Sequence, residues 1–281
     1  MARYADLRRW SIELSPAERA LRERFDATYA AGRSPVMRAV ERSVCGCDYG
    51  ATSWTTVNEA QRIGDVLALA PGLRLLEIGG GSGWPALYLA KTSGCDVFLI
   101  DLPIGGLRIA AQRAIADDLT GAFWVAVADG GNLPFSASAF DAVSHSDVLC
   151  CLPRKRAVLT ECRRVIRSGG RMVFSVISVA SNLAPAAYVR AVTNGPEFVE
   201  AEADYPTLLG ETGWTMLERH DLTQPYAASC RRQLSADAAH RDALTSLLSA
   251  AAFAERQASW QAKLACLEEG LLRRELFVSG A

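Results

Sequence analysis

Leu75-Leu76-Glu77-Ile78-Gly79-Gly80-Gly81-Ser82-Gly83-Trp84-Pro85 is the stretch on which the reading of this chain turns. An apolar run ends in an acidic residue, a glycine-dense turn follows, and Ala86 to Lys91 has the composition of a helix. The order is strand, tight turn, helix. Without Cβ atoms, Gly79, Gly81 and Gly83 can adopt dihedrals closed to other residues and let backbone approach a ligand closely. Taken alone, such a turn is only a weakly specific sign.

Working outward, further apolar segments lie at 95–100, 122–128, 140–144 and 171–177. Amphipathic helix candidates at 85–92, 105–118 and 153–167 separate them, and Ser168-Gly169-Gly170 punctuates the last. Apolar runs alternating with helices predict crossover connections and a parallel sheet buried on both faces. Trp214 to Leu222 and Arg273 to Val278 read as sixth and seventh strands, with one long helical region between them over 226–269. Before the sheet, residues 1–43 read as helical. Ser15-Pro16-Ala17-Glu18 supplies an N-cap, a proline at the first helical position and an acidic first turn. Gly32-Arg33-Ser34-Pro35 interrupts that helix, Cys45 to Thr56 is irregular, and a helix from Val57 to Ala70 leads into the first strand. The expected division is an N-terminal helical cap over 1–65 and an α/β domain over 66–281. Within that domain 179–212 is an inserted segment of short helices able to cover a substrate.

The composition excludes several classes. In 281 residues the formal net charge is −1, so no global field draws the chain to nucleic acid or an anionic membrane. Of thirty basic residues, only Lys91, Lys155 and Lys263 are lysines. The first 26 residues carry too many Arg and Glu to resemble a signal peptide, and no apolar run reaches the roughly 18 residues of a membrane span. Among the eight cysteines, Cys45-x-Cys47 and adjacent Cys150-Cys151 do not match zinc spacings. Reduced thiols, no metal and a cytoplasmic location are the expectation.

Parallel α/β sheets bind ligands at the carboxyl ends of their strands, near the point where strand order reverses. That rule selects Glu77 to Gly83, Asp101, Asp129 and Ser144 to Asp147. Asp101, at the end of Val97-Phe98-Leu99-Ile100, adds a carboxylate able to accept both hydroxyls of a ribose, so the pair marks an adenosine-type ligand. A nicotinamide cofactor would require glycine at the first, third and sixth positions of the turn. From Gly79 the sixth position is Trp84, and no Tyr-x-x-x-Lys pair is present for hydride chemistry. A G-x-G-x-x-A reading from Gly81 to Ala86 survives but begins late.

Glu77-x-Gly79-x-Gly81-x-Gly83 resembles the first motif of class I S-adenosylmethionine-dependent methyltransferases. Val127-Ala128-Asp129-Gly130-Gly131-Asn132-Leu133-Pro134-Phe135 and Phe140-Asp141-Ala142-Val143 resemble their third- and fourth-strand motifs. Arg164-Val165-Ile166-Arg167-Ser168-Gly169-Gly170-Arg171 resembles the turn before their fifth strand. The resemblance covers about 70 to 280 and is strongest to small-molecule enzymes of the ubiquinone/menaquinone-biosynthesis type. It implies a Rossmann-like, seven-stranded, mostly parallel sheet with helices on both faces. It also implies S-adenosyl-L-methionine as cofactor and methyl transfer to a small-molecule acceptor.

By that resemblance Glu77, Gly79, Gly81 and Gly83 would hold the methionine moiety. Asp101 would bind the ribose hydroxyls and Leu102 would pack on the adenine. Asp129 would accept from the adenine amino group, with Gly130 donating its backbone N–H. Ser144, His145 and Ser146 would meet the methionyl end. The Asn/Asp-Pro-Pro-aromatic signature of nucleic-acid branches is absent, with His145-Ser146-Asp147 in its place. His145 is the candidate general base, or a histidine packed beside the cofactor; Asp147 is the other candidate. Tyr49 and Trp54 either close over sulfonium and substrate or form a satellite core. A non-catalytic cofactor-binding or assembly protein on the same fold is the alternative. The acceptor atom and the choice between monomer and homodimer are open.

Overall fold

The computed structural model describes the backbone of residues 3–4 and all of 14–50 and 53–281. Residues 1–2 and 5–13 of the expected cap, and 51–52 within the Tyr49 to Trp54 loop, lie outside the described residues.

Strand β1 is Arg3–Tyr4. Helix α1, Pro16–Gly32, starts in the capping box of Ser15 and Glu18, and α2, Pro35–Cys45, is capped by Ser34. A second capping box, Thr56 with Glu59, opens α3, Val57–Val66. Then come β2 (Arg74–Ile78), α4 (Ala86–Ser93), β3 (Asp96–Asp101), α5 (Ile104–Ala116), β4 (Phe123–Val127), β5 (Phe140–Ser146), α6 (Lys155–Val165) and β6 (Ile166–Val179). The segment after β6 carries α7 (Pro185–Asn194) and α8 (Tyr205–Glu211), followed by β7, Thr215–Asp221. The region expected as one long helical stretch is three helices: α9 (Thr223–Ala239), α10 (Arg241–Leu248) and α11 (Ala250–Glu268). The last break is local chemistry: Ser249 takes φ +89° and its hydroxyl accepts the N–H of Ala252, starting α11 without a glycine or proline. Strand β8, Leu272–Gly280, ends the chain's regular structure.

The sheet order is β1-β4-β3-β2-β5-β6-β8-β7. Seven strands match the expectation from sequence, and β1 adds a two-residue parallel rung beside β4. Only β8 is antiparallel to its neighbours, between β6 and β7. Strand β2 is the switch point. The chain runs from it through β3 and β4 on one side, and β5 then restarts on the other. A crevice therefore opens at the carboxyl ends of β2, β3 and β5.

Strand alternation splits the core between two faces. Leu76, Ile78, Val143 and Phe174 pack with Val158, Leu159 and Cys162 of α6. Leu75, Val97, Leu99 and Val173 pack on the opposite face with Leu87 of α4 and Leu107 and Ala111 of α5. A third cluster joins Val40 and Val44 of α2 to Ala60, Trp84, Leu244 and Phe253, which seats the N-terminal helices on the late ones. The eight cysteines are free thiols, and only Cys151 is not fully buried. Among the described residues no helix is long and apolar enough to cross a membrane.

Candidate functional site

The glycine turn is built by register. The β2–β3 pairing places Ile78 beside Ile100, whose carbonyl accepts the N–H of Gly79 at 2.7 Å. The chain then folds over the end of β3, and Gly81 N–H donates to Asp101 Oδ2 at 2.9 Å. Leu102 N–H donates to Asp101 Oδ1 at 2.7 Å. Gly81 has φ +48°, and a Cβ there would stand 2.3 Å from the Tyr29 hydroxyl, so the position is closed to side chains on both counts. Burial raises the Asp101 carboxyl to about 6, although the Leu102 and Gly81 N–H groups and the Tyr29 hydroxyl pull it the other way.

Glu77 lies beneath the turn. The β2–β5 register sets it beside Ser144, whose hydroxyl donates to Glu77 Oε2. Glu77 is 1% exposed, and burial lifts its carboxyl from 4.5 to about 7 against the pull of Ser144. Because the folded value lies above the unfolded one, this group's stabilising contribution is full below about 4.5 and is lost as pH rises through 7. Glu77→Gln is expected to flatten that dependence. Its melting temperature should fall less than the wild type's between about pH 5 and pH 8 in thermal circular dichroism.

A cavity of about 470 Å³ opens on the turn. One wall is Gly79, Gly80, Gly81, Ser82, Asp101 and Leu102; another is Ser146, Asp147 and Val148 at the end of β5. Helices α1 and α2 close it from above through Leu21, Phe25, Tyr29, Val40 and Val44. Helices α9 and α11 close the far end through Gln233, Arg256, Trp260 and Lys263. Trp54 enters from the loop, edge-on to Trp260 with centroids 4.8 Å apart and 5.3 Å from Tyr226. The cap is pinned to the turn by polar contacts: Ser82 Oγ donates to Gly50 O at 3.2 Å, and the Trp84 indole N–H to Thr55 O at 2.7 Å. Trp84, where a nicotinamide turn would need glycine, thus fastens the covering loop.

Of the residues chosen from sequence, Gly79, Gly81, Asp101, Leu102, Ser146, Asp147 and Trp54 line this cavity. Glu77 and Ser144 support it from below, and Gly83, with φ +102°, turns the chain into α4. Four of the chosen residues are engaged by other side chains or packed away from the cavity, His145 and Tyr49 in the packed alternatives the sequence left open. His145 is off the cavity wall: alternation sends it to the opposite face of β5 from Ser144 and Ser146, where it is fully buried and stacks on Phe174 at 4.8 Å. Burial drives its pKa down to about 3, and neither ring nitrogen has a hydrogen-bond partner among the described residues. It cannot serve as a base from there. Asp147 faces the cavity, but Arg274 Nε holds both its oxygens, at 3.0 and 3.2 Å. It also accepts from Ser175 Oγ at 3.1 Å and Trp54 N–H at 3.4 Å. A carboxylate so engaged is a structural anion. Tyr49 turns away toward α5, its hydroxyl 3.4 Å from Asp117 and the Arg113 guanidinium 4.8 Å over its ring. Asp129 is drawn to Arg154, at 2.6 Å, and accepts Gly131 N–H at 2.8 Å, so neither it nor Gly130 reaches the cavity wall.

Sequence reasoning missed Tyr29, Arg256 and Lys263. Arg256, Trp260 and Lys263 follow one another at spacings of four and three, which places them on one helix face. That spacing and the scarcity of lysine were the available signals. The acidic group 197–204 is spent on structure: Glu197 pairs with Arg24 at 3.3 Å, and Asp204 caps α8 through Thr207 N–H at 2.8 Å.

Residues 76–174 match the family described as "Methyltransferase domain". The matched segment runs from β2 into β6 and contains the glycine turn and Asp101. It is 31% identical over 173 residues to 27-O-demethylrifamycin SV methyltransferase of Amycolatopsis mediterranei, covering 60% of this chain and 64% of that protein. The chain spans 58% and 64% of the first two curated relatives it matches, about three fifths of their length. Among solved structures, it resembles Haemonchus contortus phosphoethanolamine N-methyltransferase 2 in complex with S-adenosyl-L-methionine. The TM-score is 0.77 at 17% identity, over 92% of this chain and 59% of that one. It also resembles the 4+2 cyclase SpnF, with TM-score 0.69 at 21% identity over 97% and 98% of the two chains. At these identities the two structures establish the fold and not the reaction.

Proposed function

We propose that the chain is an S-adenosylmethionine-dependent methyltransferase acting on a small-molecule acceptor by direct in-line displacement. The observation that carries this is one wall of one cavity. The Gly79–Ser82 turn, packed so tightly that a Cβ at Gly79, Gly80 or Gly81 would clash, stands beside the half-buried Asp101 carboxylate and faces a largely apolar chamber. S-adenosylmethionine supplies an electrophilic methyl group on a sulfonium. Asp101 accepts from the ribose hydroxyls, Leu102 packs on the adenine, and the turn follows the methionyl portion. The chamber walls align the acceptor and keep water out. The Trp54 ring, which enters the cavity from the covering loop, favours positive charge at the sulfonium. With His145 off the wall and Asp147 held by Arg274, these two supply no proton acceptor, and catalysis rests on alignment. The charge balance favours no nucleic-acid partner, and the same reading places the protein in the cytoplasm.

The test is calorimetry with S-adenosylhomocysteine, followed by incubation of the protein and deuteromethyl S-adenosylmethionine with metabolite extracts. Binding and a deuteromethylated product detected by mass spectrometry are expected. Failure of the wild type to bind S-adenosylhomocysteine overturns the reading. The likeness to a 4+2 cyclase keeps a second reading in view, a cofactor-binding protein without methyl transfer, which predicts binding and no labelled product.

A further inference from the structure

The charges around the cavity do not balance. Each carboxylate on its wall already has partners. Asp101 takes backbone N–H groups, Asp147 takes Arg274, and Glu197 takes Arg24 at 3.3 Å. Glu41 accepts Tyr49 N–H at 3.1 Å, and Glu18 accepts Ser15 N–H at 2.8 Å. Among the wall's cations, Arg24 is paired as above, and Arg256 Nε lies 2.6 Å from the fully buried Asp237. Arg22 and Lys263 have no ion pair or hydrogen bond to a described residue.

Of these two, Lys263 stands among the aromatic residues at the far end. Its Nζ is 4.9 Å from the Trp260 ring centre, and Trp260 meets Trp54 edge-on. We propose that Lys263 anchors an anionic oxygen group of carboxylate type on the acceptor, so that the substrate is an apolar body carrying one acid function. The proposal rests on the methyltransferase reading. Desolvating an ammonium without an anion is unfavourable, and a bound carboxylate relieves it with a charge-assisted hydrogen bond. Burial depresses the Lys263 pKa, the direction expected of a cation left without a counter-ion. The geometry of α11 supports a built site: Asp237 fixes Arg256, Gln233 at 2.7 Å and Gln257 at 3.2 Å, which holds the helix face that presents Lys263.

The experiment compares 2-naphthoate with 2-naphthamide, two rigid probes of the same shape, by calorimetry in saturating S-adenosylhomocysteine. The wild type is expected to prefer the carboxylate by roughly tenfold or more. Lys263→Met should abolish the preference, Lys263→Arg should retain most of it, and Arg22→Met should leave it largely intact. Affinity for S-adenosylhomocysteine should change by no more than about twofold in Lys263→Met, which separates acceptor from cofactor recognition. Equal affinity of the two probes for the wild type overturns the proposal. So does a preference that survives Lys263→Met or is lost in Arg22→Met alone. Failure of S-adenosylhomocysteine to bind the wild type instead overturns the methyltransferase reading, and is seen in a separate titration.

Discussion

Replacing Arg274 with methionine is expected to destabilise the protein by about 3–5 kcal/mol. The side chain is 1% exposed and sits where four elements meet. Its guanidinium reaches Asp147 beyond β5 at 3.0 Å, Glu59 of α3 at 3.0 Å and Ser175 of β6 at 3.3 Å, from its own place on β8. Burial alone would lower its pKa, but the Asp147 and Glu59 carboxylates outweigh that and raise it above the ordinary guanidinium value. Methionine fills much of the volume and leaves both carboxylates without their cation, so the loss is the desolvation cost of two stranded charges. In a chain of this size each kcal/mol moves the melting temperature by roughly 2–4 °C, which predicts a fall of roughly 6–20 °C. Lysine should recover little, since a point charge cannot serve two carboxylates and a hydroxyl in a planar fork. The double variant Asp147→Asn, Arg274→Met should be less destabilised than the sum of its parts, because each removes the other's penalty. Thermal and urea denaturation of the wild type, the three single variants and the double variant measures this, and an Arg274→Met variant that melts with the wild type would show the ion pair to be neutral. A functional consequence follows. Asp147 also holds Trp54 N–H, so loosening Arg274 frees the loop that covers the cavity.

The local signals that placed the sheet were strong for a physical reason. Parallel strands are buried on both faces, so each reads as an apolar run, and the helices between them carry their own stops, such as Gly94 after α4. The cap at Ser15 was equally legible because it is an interaction within one turn. Side-chain facing was harder. His145 was chosen by position along the chain, yet the period of two along β5 already sets it opposite Ser144 and Ser146, and that rule would have removed it. Asp129 and Tyr49 could not be placed this way. Their partners Arg154 and Asp117 lie on other elements, and nothing local says that an ion pair or a hydroxyl contact will win over a ligand. The far wall was the least legible part. Lys263 meets the cavity only because α9, α10 and α11 fold as separate helices over α2, and the His240 and Ser249 breaks lack glycine and proline.

Asp101→Ala is expected to weaken S-adenosylhomocysteine binding by roughly 10- to 150-fold, the equivalent of losing charge-assisted hydrogen bonds of about 1.5–3 kcal/mol. The carboxylate does two jobs that alanine cannot. It accepts the Gly81 and Leu102 N–H groups, which fixes the shape of the turn, and it is the acceptor available to ribose hydroxyls at the end of β3. Tyr29 from α1 donates to the same carboxylate, so a ribose bound there would share or displace that contact. Asp101→Asn separates the two jobs: its amide oxygen keeps one N–H contact while the charge is gone, so its affinity should fall between wild type and alanine. The pH dependence gives an independent check. Burial raises this carboxyl to about 6 in the ligand-free protein, and ribose hydroxyls favour the ionised form. Affinity should therefore be level above about pH 7 and decline as pH falls through 6, by up to tenfold per unit, in the wild type and not in Asp101→Asn. Calorimetric titrations between about pH 5 and pH 8 read this directly, and a wild-type affinity independent of pH across that window would remove Asp101 from the ribose contact.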